Sequence, residues 1–161
     1  MMDARPQKEH EWLQKLVGEW ASEMSCKMGP DQPEFTTKGS ESVRALGGFW
    51  TVGDGSGDTP DGKPCSTVMT LGFDPAKGRF VGTFVASVMP MIWHYEGTLD
   101  EAGKVLTLDT EGPSMSGDGR TAKYRDVVTM VSPDHRMLTS RVLGADGNWT
   151  EFMTAHYRRK A

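Results

Sequence analysis

The chain reads as an all-β protein: an antiparallel up-and-down barrel of about ten strands with one short N-terminal helix. Three observations predict this. Turn signals recur at short intervals, at Asp61-Gly62, Asp74-Pro75-Ala76-Lys77-Gly78, Asp100-Glu101-Ala102-Gly103 and Asp146-Gly147-Asn148, a cadence that joins successive strands as hairpins. The runs between them are rich in Val, Thr, Phe, Tyr and Trp, which suit a pleated backbone. Only one segment has a helical period, so no helical layer covers the sheet, and a long meander then hides one face most simply by closing on itself.

Gln7 to Val17 brings Trp12, Leu13, Leu16 and Val17 to one face at helical spacing and ends at Gly18, a residue suited to a helix C-cap. Residues 7–17 are therefore expected as the helix and 19–159 as barrel strands of a single domain over 1–161, a length that suits one core. From Glu19 alternation takes over. Trp20, Ser22, Met24, Cys26 and Met28 share the inward face, with Glu19, Glu23 and Lys27 opposite. After a break at Gly29, Thr36 to Leu46 groups Glu41 with Val43 and Ala45, which carries the carboxylate inward. Phe49 to Val52 follows Gly47-Gly48, and the glycine-rich stretch from Gly53 to Gly62 reads as a mobile loop at one barrel mouth. It lacks the lysine and following helix of a phosphate-binding loop.

Cys65 to Phe73 and Arg79 to Ser87 pair through Asp74 to Gly78, a length that suits a type I turn with a bulge glycine. Met91 to Leu99 and Val105 to Glu111 make the next hairpin, and Pro113 to Gly119 is a second flexible loop. Tyr124 to Val131, Met137 to Leu143 and Asn148 to Arg158 complete the meander through Pro133-Asp134 and Asp146-Gly147.

Composition excludes several functions. The net charge is -4 with acids and bases interspersed, whereas nucleic-acid binding needs a concentrated basic field. The single basic cluster, Arg158-Arg159-Lys160, reads as a solvated chain end. The charged opening from Met1 to Trp12 has no apolar stretch of signal-peptide length and no window spans a bilayer, so the expected location is cytoplasmic, with no membrane partner. Cys26 and Cys65 lack Cys-x-x-Cys spacing and read as reduced thiols. His10, His94, His135 and His156 are scattered over helix, strand, turn and last strand, so spacing sets no metal site and no haem ligand. No serine lies in a Gly-x-Ser-x-Gly elbow. No catalytic residue and no metal ligand is assigned, and the cofactor is left unknown.

Several stretches together are similar to one known family: His10-Glu11-Trp12-Leu13 with Leu16-Val17-Gly18-Glu19-Trp20, Leu46-Gly47-Gly48-Phe49-Trp50, Met69-Thr70-Leu71-Gly72-Phe73-Asp74, Tyr95-Glu96-Gly97-Thr98-Leu99, Tyr124-Arg125-Asp126 and Tyr157-Arg158-Arg159. On these the chain resembles the bacterial family known as domain of unknown function 1579. The resemblance implies a lipocalin-like, or calycin-like, barrel and supplies no reaction. Gly18-Glu19-Trp20 also resembles the Gly-x-Trp that opens the first lipocalin strand, where the indole closes the barrel floor against an arginine from the far end of the chain. Arg158 or Arg159 would supply that cation here.

Trp93-His94-Tyr95-Glu96 is the densest group of functional side chains, and alternation sends Trp93 with Tyr95 to one face and His94 with Glu96 to the other. Arg125 shares a face with Val127, Thr129 and Val131, a half-buried set that points it into the barrel. There it would need Glu41, Asp109, Glu111 or Glu151 as partner, or would meet a ligand carboxylate bidentately. Eleven methionines add adaptable apolar surface. The expected function is binding of a small, largely apolar molecule among Trp50, Met69, Phe84, Trp93, Tyr95 and Met130, oriented by Arg125 and Glu41. Two rivals stand beside it: a barrel enzyme using His94 and Glu96 as acid and base, and a filled barrel acting through a homodimer surface.

Overall fold

A computed structural model describes residues 4–27, 29 and 31–161; Met28, expected on the first strand, lies outside them. Ten antiparallel strands form a closed barrel: β1 Gly18–Cys26, β2 Phe35–Leu46, β3 Trp50–Asp58, β4 Pro64–Asp74, β5 Arg79–Ala86, β6 Trp93–Leu99, β7 Val105–Pro113, β8 Thr121–Ser132, β9 His135–Leu143 and β10 Trp149–Arg159. Each pairs with its sequence neighbour, and β1 pairs also with β10, Trp20 opposite Arg159 and Cys26 opposite Met153. Closure leaves no free edge for other chains to pair with.

The helix is shorter than its periodicity suggests. A helix α1, Lys8–Leu13, is followed by a tight 3-10 turn, Gln14–Leu16, because the chain must swing from the helix axis into β1 within a few residues. Val17 caps that turn in extended backbone, and Gly18 is not the cap but the first residue of the strand. Its φ is +139°, and a Cβ there would stand 2.3 Å from the Arg159 guanidinium, so conformation and close approach both require glycine.

α1 plugs one end. The Trp12 Nε1–H donates to the Gly103 carbonyl at 2.6 Å, and His10 Nε2 donates to the Phe73 carbonyl at 2.9 Å while its Nδ1 accepts from the Gln7 backbone N–H. Both nitrogens of this buried imidazole are therefore occupied by structure. Above the plug sits Trp20, fully buried, its Nε1–H donating to the Leu16 carbonyl at 2.9 Å. The Arg159 guanidinium lies 4.2 Å from the Trp20 ring centre. It donates to the carbonyls of Val17, Lys15 and Pro133 at 2.7–3.0 Å and to the Asp134 carboxylate at 3.2 Å. Of the two cations expected from the chain end, Arg159 is the one that closes the floor.

The glycine-rich stretch expected as a loop is mostly strand. β3 runs through Asp58, and Gly53, Gly55 and Gly57 pair with Met69, Thr67 and Cys65 of β4. The backbone hydrogen bonds of a ladder do not depend on side chains, so two flanking strands hold a segment whose own propensity is poor. The strand expected from Met91 begins only at Trp93, and β7 reaches Pro113, into the second expected loop.

Replacing Arg159 by alanine is expected to lower unfolding free energy by about 3 kcal/mol, since hydrogen bonds from a charged donor and the contact with the indole disappear together. Chemical denaturation checks this. A loss below about 1 kcal/mol would place the closure elsewhere.

Candidate functional site

Inward residues of the first five strands and the last three border a cavity of about 280 Å³ that extends from Leu16 to Val88 and Met89 after β5. Its apolar wall includes Met24, Met69, Phe84, Leu138 and Met153. The part of the wall made by β2 and β3 is small and polar, because it presents Gly39, Gly53, Gly55 and Gly57, with Ser22, Thr37, Thr51 and Thr67 around them. Side chains at those glycines would occupy the space. A Cβ on Gly53 would stand 2.5 Å from Glu41 Oε2, and one on Gly55 2.4 Å from Thr67 Oγ1.

A charged pair borders the base of this space. Arg136 of β9 donates through Nη2 to Oε1 of Glu41 on β2, and their side chains are 7% and 14% exposed. The Arg136 guanidinium also lies 4.0 Å from the Tyr157 ring centre and 4.7 Å from that of Trp20. Its Nε is buried without a hydrogen-bond partner. Burial and the Glu41 carboxylate push the Tyr157 phenol up to about 12, so it stays neutral. Next to this pair, Asp126 on β8 accepts from Ser140 Oγ at 2.6 Å and from the Tyr95 hydroxyl. Burial raises the Asp126 carboxyl above the usual range, against the pull of those two donors, and burial with Asp126 beside it holds Tyr95 well above an ordinary phenol.

The expected site residues divide three ways. Glu41, Met69 and Phe84 border the cavity. Trp93, Tyr95 and Met130 also point inward but pack into the wall: Trp93 meets Tyr124 edge to face at 5.2 Å, Tyr95 is tied to Asp126, and Met130 backs the core. Trp50 and Arg125 point outward. Thr51 takes the inward position on β3, so Trp50 lies over Gly72 on the outer wall, where a Cβ would be 2.4 Å from its ring. Arg125 donates to Asp109 at 2.8 Å and covers the Trp149 ring at 4.2 Å, also outside.

The Arg125 placement is a correction with a simple origin. Val127 is buried but Val131 is 52% exposed. The inward set on β8 is Tyr124, Asp126, Val128 and Met130, which puts an aspartate where alternation of apolar residues alone would not. His94 and Glu96 also lie on the outer wall, Glu96 facing Lys77 at 3.4 Å, so no acid–base pair forms from them in the lumen. Sequence reasoning missed Arg136, Tyr157, Asp126 and Ser140. Arg136 stood one residue before the expected strand, yet Arg136, Leu138 and Ser140 alternate as an inward face, and that signal was available.

The pattern of the family described as "Protein of unknown function (DUF1579)" matches residues 5–159. The chain belongs to that family. No curated protein matches this DUF1579 member. Among solved structures it is similar to Rv2717c from M. tuberculosis, with TM-score 0.67 and 15% identity over 98% of this chain and 100% of that one. It is also similar to the S-type phycobiliprotein lyase CPES from Guillardia theta, with TM-score 0.61 and 17% identity over 97% and 99%. A third is EF1p2_mFAP2b bound to DFHBI, with TM-score 0.51 and 15% identity over 95% and 100%. At these identities the likeness is one of fold. Among the described residues no group of three or more His, Cys, Asp or Glu is arranged to hold a metal ion, and no helix is long and apolar enough to cross a membrane.

Two titrations test the interior. All three tyrosines, Tyr95, Tyr124 and Tyr157, are raised chiefly by burial, so native protein is expected to develop little phenolate absorbance near pH ~10, where free tyrosine ionises. A full step at that pH would contradict the burial. For Asp126, the native state keeps its proton where the unfolded chain has already lost it. The resulting stabilisation is complete below the unfolded value of ~3.9 and fades as pH rises through the raised native value. Between about pH 4 and about pH 7, the melting temperature of wild type relative to Asp126→Asn is expected to fall as pH rises; a flat or rising difference excludes it.

Proposed function

We propose that this DUF1579 barrel binds a small, largely apolar molecule in its lumen. The observation that carries the reading is the hollow itself. Protein interiors normally close to crystal-like density, yet here four inward glycines on β2 and β3, with Met69, Phe84, Leu138 and Met153, border about 280 Å³ of space. A cavity of this size, mostly apolar with a few convergent polar groups, is what a small-molecule site requires. A filled barrel acting only through its surface has no use for it. That a barrel of this shape can hold a small molecule is supported by EF1p2_mFAP2b, described as bound to DFHBI.

Binding follows from the physics of the wall. Apolar ligand surface removed from water contributes about 25 cal/mol per Å². The methionines adapt to its outline, while Glu41 and Tyr157 at the base offer polar anchoring. Trp20 lies close enough to Arg136 and Tyr157 for its emission to report occupancy.

Titration of small uncharged aromatic compounds, followed by tryptophan emission and calorimetry, is expected to show saturable one-to-one binding. Ala86 borders the cavity, and Ala86→Trp fills the space with an indole. That variant is expected to weaken binding by at least about tenfold, or 1.4 kcal/mol, with the circular dichroism spectrum retained. Unchanged affinity in a folded Ala86→Trp variant would move the site out of the lumen, and absence of binding across the panel would defeat the proposal.

A further inference from the structure

The polar atoms of the lumen sort ligands by their head group. We infer that the molecule held there carries an uncharged O–H or N–H donor directed at Glu41, and that carboxylic acids of the same apolar body are rejected; this rests on the ligand-binding reading above.

Glu41 has two carboxylate oxygens with different neighbours. Oε1 is engaged by Arg136. Oε2 lies over the inward face of Gly53, 2.5 Å from the place a side chain would begin, and both residues border the cavity. Because Gly53 has no side chain, the carboxylate fits against the β3 backbone there, and no side chain of β3 at that position stands between Oε2 and the space. A carboxylate oxygen accepts hydrogen bonds and donates none, so the strongest polar group facing the space calls for a donor.

Arg136 does not offer the converse. A lumen arginine would ordinarily suggest an acidic ligand, since guanidinium and carboxylate fit bidentately. Here Nη2 is turned to Glu41, Nε is buried where it meets no partner, and the guanidinium is stacked against Tyr157 and Trp20. Its charge is already matched by Glu41. A second carboxylate would add an unmatched negative charge beside the first in an apolar enclosure, where like charges repel far more strongly than in water.

The remaining polar groups of the lumen do not favour an anion. Ser22, Thr37, Ser40, Thr51, Ser56 and Thr67 are hydroxyls that donate or accept with equal ease, so they admit a polar edge without choosing its sign, and Asp58, exposed at the end of β3, adds a second acceptor at the border. The Tyr157 phenol is neutral and could donate to an anion, but it lies against the same Glu41–Arg136 pair, and Glu41 is among the causes of its raised pKa. Asp126, behind the wall, is a further acceptor, held by Tyr95 and Ser140. The charge of the bordering guanidinium is thus balanced by Glu41, while the second oxygen of that carboxylate is left to a ligand donor.

Three probes with one body decide the matter: 2-naphthol, 2-methoxynaphthalene and 2-naphthoate, titrated at neutral pH with Ala86→Trp as the blocked control. The expected order is naphthol tighter than the methoxy compound by about tenfold, the worth of one hydrogen bond to a charged acceptor, with naphthoate weakest. Glu41→Gln, which keeps the shape and removes the charge, is expected to narrow the gap between naphthol and naphthoate. If that variant fails to fold, the wild-type order decides alone. Naphthoate binding as tightly as naphthol, or naphthol no tighter than its methyl ether, overturns the head-group assignment and leaves the lumen site standing. Failure of all three probes to bind overturns both.

Discussion

The barrel depends on how its floor is sealed. A closed sheet of ten strands leaves two ends, and at one of them a fully buried indole is held by the last residue of the last strand. The Trp20 Nε1–H is satisfied by Leu16, and Arg159 spreads its donors over Val17, Lys15, Pro133 and Asp134. These contacts join the helix plug, the first strand, the turn before β9 and the chain end in one place. Gly18 is the steric condition for that junction, since any side chain there would displace the guanidinium. Stacking a guanidinium on an indole is worth about 0.5–2 kcal/mol, but its larger effect is geometric: it fixes the register in which β10 meets β1.

Everything above the floor follows from a fixed register. Once Trp20 is inward, so are Ser22 and Met24, and across the ladder so are Glu41, Gly39 and Thr37. Slipping by one residue would turn the glycines outward and fill the lumen with the side chains that now face solvent. The cavity is therefore a property of the pairing as much as of the residues. Its glycines cost strand propensity, and the flanking ladders of β2 and β4 supply the compensation.

The interior is polar in an organised way. Glu41 with Arg136, and Asp126 with Tyr95 and Ser140, place two acids inside a barrel whose other core residues are mainly aliphatic and aromatic. Each acid is hydrogen-bonded, as buried charge must be. The Arg136 Nε is a buried donor without a partner, beside the rings of Tyr157 and Trp20, and Thr110 Oγ1 on β7 is another unpartnered polar atom. The result is an electrostatically lopsided lumen, with the Glu41 carboxylate at its base and methionines of β1, β4 and β10 around it.

The amino-acid sequence by itself determined the architecture. Turn spacing gave about ten strands in order and the helical period gave the plug, because these are local signals that tertiary packing reinforces; the floor followed from the resemblance of Gly18-Glu19-Trp20 to the lipocalin opening, with the choice between Arg158 and Arg159 left to the structure. Glu41 was also legible, since Val43 and Ala45 share its face. What only the tertiary structure decided was which charged residues face inward on β8 and β9, and that the Gly53 stretch is a wall of the cavity. Alternation identifies two faces but names the inner one by apolar content, and that rule fails where the core itself is polar. On β8 the inner face carries Asp126, stabilised by partners on β6 and β9 that lie 31 and 14 residues away along the chain. No window of sequence contains such partners; closure of the barrel brings them together.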